Sequence, residues 1–170
     1  MMSDNGEKVF IEMGQRQREE SDQDQTEETL SLLTFCIEKD WYCVPSSQVK
    51  EVTRIPKITP VPGTPDYILG VAHHSGEILS VIDIKPLIGL DKTILTEKSR
   101  LLISTIEDEP AGLLIEIVQD IIEITKGKIE TYLSGAGSEQ KGYLTGRIQI
   151  GEVILGILDL EKLLYLGKKS

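Results

Sequence analysis

Very little in this 170-residue chain supplies reactive chemistry. Two cysteines, Cys36 and Cys43, are too few for a disulfide scaffold, and free thiols are the expectation in a reducing compartment. A two-residue hairpin at Lys39-Asp40 would set these thiols opposite each other. No apolar run approaches the ~18–20 residues of a membrane span. The opening MMSDNGEKVF carries no apolar secretory segment, so a cytoplasmic protein is expected, without direct membrane insertion. Basic clustering is also missing. Net charge is −10, of which residues 1–30 hold −6, and no patch could neutralise a phosphate backbone. Nucleic acid is excluded as a partner class.

Known reaction centres are equally scarce. His73 and His74 are the only histidines, and neighbours on a strand point to opposite faces, which makes a poor metal pair. No Cys-x-x-Cys or His-x-Glu stands near them to complete a ligand set. The loop SGAGSEQKG lacks the spacing and the strand-to-helix context of a phosphate cradle. Ser75 beside His74 is not a nucleophile and base, because adjacency in sequence does not deliver the geometry. No catalytic residue, metal or cofactor is expected.

What the chain does contain is itself, twice. Tyr67, Gly70 and Asp83 recur at Tyr143, Gly146 and Asp159, each displaced by 76 positions. Leu32-Leu33 and Ile37-Glu38 find an echo 69 positions on, in Leu101-Leu102 and Ile106-Glu107. Val49, Glu51, Val52 and Thr53 are echoed 72 positions on by Ile121, Glu123, Ile124 and Thr125. A long period present twice indicates two similar packed units and not a solenoid. Units of ~70 residues bury too little surface alone, so the halves should share an apolar seam.

Residues 1–29 form an acidic arm whose composition cannot offset the entropy of ordering, so disorder is expected there. From residue 30 the pattern is strand-like. Leu30 to Ile37 alternates and Trp41 to Val44 answers it; Pro56, Pro60, Pro62 and Pro65 then impose an extended connection. Ile78 to Ile82 reads as a strand buried on both faces, with Asp83 opening a short helix through Leu90 and Asp159 opening another over Leu160–Leu166. Strands at 100–106 and 112–117 and a final hairpin around Gly151 complete a mostly β architecture.

Certain motifs in this order also resemble a known family. They are LLTFCIEKDWYCV, the V-x-E-[IV] of Val49–Val52, P-x-Y-I-x-G, G-x-I-x-x-V-I-D-[IL] at Gly76–Ile84, G-L-L-[IV]-[DE]-x-V at Gly112–Val118, and I-L-D-L-E-K-L-L. Over residues 30–170 the chain is similar to the chemotaxis coupling protein CheW and to CheW-like domains. The resemblance implies an all-β fold of two related five-stranded SH3-like barrels packed together, with short connecting helices. The repeats would run roughly 30–95 and 96–170, with strands open to exchange between barrels. It further implies a non-catalytic adaptor in chemotaxis signal transduction, coupling chemoreceptor cytoplasmic tips to the regulatory domain of the histidine kinase CheA. Carried over by motif, the partner-binding positions are Val49, Glu51, Gly70, His73, His74, Ser75 and Gly76. The family tip is usually Asn-Leu-Arg-Gly, and Ser75 stands here in place of its arginine, a forked cation suited to carboxylates. Two alternatives stay open: a CheW-like module of another kinase array, controlling surface motility or development, and a small-molecule or metal-binding β-barrel using His73, His74 and the cysteines.

Overall fold

The computed structural model describes residues 27–132 and 142–168. Most of the acidic arm, and the Gly-rich loop up to Lys141, lie outside the described residues. Four hairpins dominate. They are β1 (Thr29–Ile37) with β2 (Asp40–Pro45), β5 (Ile68–His74) with β6 (Glu77–Asp83), β7 (Arg100–Ile106) with β8 (Glu109–Ile115), and β11 (Leu144–Ile150) with β12 (Val153–Leu158). Between them run β3 (Glu51–Arg54), the two-residue β4 (Ile58–Thr59), β9 (Ile117–Thr125) and the two-residue β10 (Glu130–Thr131). One helix, α1 (Leu160–Lys168), follows β12. All four hairpins turn in two residues, with positive φ at Glu38, at Ser75 and Gly76, at Glu107 and Asp108, and at Gly151. This backbone hand matches the twist of the flanking strands.

The strands form two six-stranded sheets, ordered β3-β7-β8-β6-β5-β4 and β9-β1-β2-β12-β11-β10. The two orders are the same once each strand is replaced by its counterpart in the other repeat. Each sheet thus has five strands of four or more residues plus one two-residue strand, forming an SH3-like barrel. Residues 30–95 supply β3–β6 to one sheet but β1 and β2 to the other; residues 96–170 return β7 and β8 in exchange. In both sheets the exchanged hairpin is held by an antiparallel pairing (β3 with β7, β9 with β1) and a parallel one (β6 with β8, β12 with β2).

Strand alternation divides the apolar side chains among three cores. Leu32, Cys43, Ile122, Ile148 and Leu155 fill one barrel, and Ala72, Leu79, Val81, Leu101 and Ile103 fill the other. The opposite faces of the same strands meet in a seam containing Leu33, Phe35 and Ile37 from one sheet and Ile82, Leu102 and Leu113 from the other. Helix α1 adds Leu160, Leu163 and Leu164 to this seam, crossing from the end of β12 onto β6, β7 and β8. Among the described residues the seam holds seventeen buried side chains against eight and five in the barrels. A fully buried aliphatic side chain contributes about 1.5–3 kcal/mol, so most of the apolar stabilisation binds the two barrels to each other.

The repeated triad has a shared structural cause. At Gly70 a Cβ would strike the Thr59 carbonyl and lie 2.9 Å from Pro60 Cα; at Gly146 it would lie 2.5 Å from the Glu130 carbonyl oxygen. Each glycine lets a two-residue strand cross over its hairpin, and each sits beside a register shift. The Tyr67 and Tyr143 carbonyls accept from the N–H groups of Asp83 and Asp159, both at 2.8 Å. Buried Asp83 accepts from the Lys85 N–H (3.1 Å) and from both donors of Thr93, at 2.8 and 2.9 Å. Asp159 accepts from the Lys162 N–H at 3.1 Å, at the start of α1.

Several local expectations are corrected. The β1–β2 turn is Glu38-Lys39, one residue earlier than expected, because Glu38 takes the positive φ. The register therefore sets Cys36 against Trp41 and Cys43 against Thr34, and both cysteines are free. The strand over residues 78–82 is not buried on both faces: Ile78 is 60% exposed. The helix expected from Asp83 to Leu90 shortens to one 3-10 turn, Lys85–Ile88, closed by Gly89 at φ 82°.

Candidate partner-docking site

The β5–β6 hairpin carries four of the sequence-predicted positions at its tip. His73 and His74 are the last residues of β5, and Ser75-Gly76 is the turn. Gly76 adopts its φ of 79° freely, whereas Ser75 at 51° bears a left-handed strain on the order of 1 kcal/mol. The two histidines diverge. His73 is exposed and lies opposite Ile78, while the His74 ring Nε2–H donates to Glu51 Oε2 at 2.8 Å. β3 begins at Glu51 and β5 ends at His74, so this bond spans the gap across which the sheet curls closed. The neighbouring pair, Lys50 and Glu77, approaches to 3.9 Å. Two adjacent polar contacts thus tie the tip to the start of β3.

The other predicted positions do not join this contact. Gly70 stands at the β4 crossing, where its role is to admit a backbone. Val49, at the end of a 3-10 turn over Ser46–Gln48, packs half-buried against the inter-barrel seam. Nor do the histidines and cysteines converge. Cys43 lies in a barrel core, and Cys36 is buried with its S–H donating to the Glu38 carbonyl. Burial, with Glu116 and Asp40 nearby, pushes the Cys36 thiol up to about 11, and burial alone pushes Cys43 up to about 12. Both are poor nucleophiles and poor metal ligands at neutral pH.

Sequence reasoning missed two residues that the repeat could have revealed. Ile78 on β6 and Ile154 on β12, 76 positions apart, are 60% and 52% exposed. Their cross-strand partners, His73 and Gln149, are also 76 apart and exposed. Each barrel therefore presents an isoleucine at the same outward position, on the second hairpin of each repeat. The inward neighbours Leu79 and Leu155 are equivalent too, and both are buried. Folding does not require an apolar side chain at either outward position.

A family model described as CheW-like domain matches residues 31–167. The chain belongs to the CheW-like domain family. It is 25% identical to the chemotaxis protein CheW of Bacillus subtilis over 133 residues, covering 78% of this chain and 85% of that protein. Over 128 residues it is 29% identical to the protein FrzA of Myxococcus xanthus, covering 74% and 79%. Among solved structures, the scaffolding protein TtCheW of Thermoanaerobacter tengcongensis superposes with a TM-score of 0.73 at 26% identity, covering 80% of this chain and 92% of that one. Next to Ser75, the imidazole of His74 makes the contact to Glu51.

Proposed function

We propose that this CheW-like chain is a non-catalytic adaptor of chemotaxis signal transduction, working in the cytoplasm. It couples chemoreceptor cytoplasmic tips to the regulatory domain of the histidine kinase CheA through protein–protein contacts. The observation that carries this reading is the doubling of one outward face, with Ile78 and Ile154 at equivalent, exposed positions on two barrels of one order. Exposed aliphatic side chains set on rigid strands suit anchors that a partner desolvates, with polar neighbours as a rim. The docking surface of the first barrel comprises the tip His73, His74, Ser75 and Gly76, with Glu51 holding it, Gly70 shaping it, and Val49 at the seam just before β3. Among the described residues no helix is long and apolar enough to cross a membrane. Titrating the purified chain with a CheA regulatory domain and a receptor-tip fragment tests the proposal; binding to neither overturns it.

A second reading is favoured by the altered tip, in which His73-His74-Ser75 stands where Asn-Leu-Arg is usual. Under it the chain serves a different kinase array, one that controls surface motility or development. Parallel titrations with regulatory domains from both kinds of array separate the two readings.

A further inference from the structure

Beside the apolar seam, a polar cluster joins the two barrels where the chain crosses between them. The chain passes from β8 in one sheet to β9 in the other through a single residue, Glu116. Its carboxylate is divided between the sheets. Oε1 accepts from Lys85 Nζ at 2.9 Å, just beyond β6, and Oε2 accepts from the Glu38 backbone N–H at 3.1 Å, in the β1–β2 turn. Lys85 Nζ also reaches Glu38 Oε1 at 3.1 Å. The lysine side chain is only 9% exposed. Burial alone would lower its pKa; hydrogen bonds and charge from Glu116 and Glu38 outweigh that, and the net shift is upward. The ammonium is therefore held charged between one residue of the opposite barrel and the residue that links the two.

We propose that Lys85, gripped by Glu38 and Glu116, is a positioning residue that sets the angle between the barrels and so the spacing of the two docking faces. The apolar seam holds the barrels together without directional bonds, whereas three hydrogen bonds of 2.9–3.1 Å between named atoms add a directional restraint that selects one arrangement. Only the lysine is buried, with Glu38 45% and Glu116 24% exposed, so the cluster adds modest net stability and its use is specificity of arrangement. The link to partner spacing rests on the docking reading above, but the angle does not.

The test uses the full chain, labelled for residual dipolar couplings, without any partner. In the wild type one alignment tensor is expected to fit both sheets. In Lys85→Met, which keeps the aliphatic stem, each sheet should still fit its own coordinates while the two require different tensors; Lys85→Arg should restore the common tensor. Glu116→Gln is the second variant should Lys85→Met fold poorly, and the same split is expected. A single unchanged tensor in the folded variant overturns the proposal. A second arm measures binding. Lys85→Met should weaken a partner spanning both faces by about tenfold, about 1.4 kcal/mol, and leave a fragment that covers one face unaffected. A split tensor with no partner bound in any variant sinks the docking reading and leaves the clamp standing.

Discussion

Replacing Ile78 or Ile154 by asparagine removes the apolar part of one docking face. Ile78 is 60% exposed and Ile154 52% exposed, so a partner that covers either one desolvates roughly half of an isoleucine. With about 2.5 kcal/mol for a fully buried isoleucine, the losses are about 1.5 and about 1.3 kcal/mol. Each corresponds to a dissociation constant roughly tenfold weaker. Stability should fall by only about 1 kcal/mol, from the part of each side chain that the fold already covers and from the weaker strand preference of asparagine. Calorimetric titration of the kinase regulatory domain and of the receptor fragment against each variant reads the effect. A partner that spans both barrels loses about a hundredfold in the double variant, by additivity of distant sites. Partners that use one face each respond to one variant each. Ile94 is the control: it is 83% exposed, in a loop outside the repeated hairpins. Unchanged binding in both variants, or a larger effect at Ile94, would refute the argument from repetition.

Further perturbations probe the frame behind those faces. Gly70→Ala should cost about 2–4 kcal/mol, from a left-handed φ of 145° and a collision with β4, and Gly146→Ala about 1–3 from the collision alone. Gly76→Ala meets nothing within 4 Å and should cost only about 1 kcal/mol, so urea midpoints that fall equally in all three would contradict the crossing. His74→Ala and Glu51→Gln should each cost about 1 kcal/mol or less, and a double-mutant cycle should return a coupling of about 0.5–1 kcal/mol; independent effects would mean that the 2.8 Å bond does no work. The buried thiols predict alkaline sensitivity. Their folded values, about 11 and about 12, exceed the ordinary 9.0, so the folded state holds protons that the unfolded state gives up. Stability is therefore full below pH 9 and falls as pH rises, by about 1 to 1.5 kcal/mol per thiol between pH 8 and 10. Denaturant unfolding of Cys43→Ala should show a smaller drop over that interval, and an identical drop would exclude the thiol as its source.

The sequence made the repeat legible because backbone crossings tolerate only glycine, and Gly70 and Gly146 therefore stand out in any frame. It concealed the exchange of hairpins. β1 is buried from Leu32 to Ile37, so alternation does not say that Leu32 faces a barrel and Leu33 the seam, and its pairing with β9 spans much of the chain. The Cys36–Cys43 register is not legible because a glutamate at positive φ is uncommon, so Glu38 carries no turn signal. The unbroken apolar run from Ile78 to Ile82 hides which members face out. The contact of His74 with Glu51 joins residues 23 apart through barrel closure, which no local pattern announces.

The most direct measurement is a pair of titrations of the intact chain, one with a CheA regulatory domain and one with a receptor-tip fragment, repeated with the Ile78→Asn and Ile154→Asn variants. The expected result is saturable binding to both partners, each weakened by at least one of the two substitutions. A folded chain that binds neither, or binds both with indifference to the two isoleucines, would contradict the account.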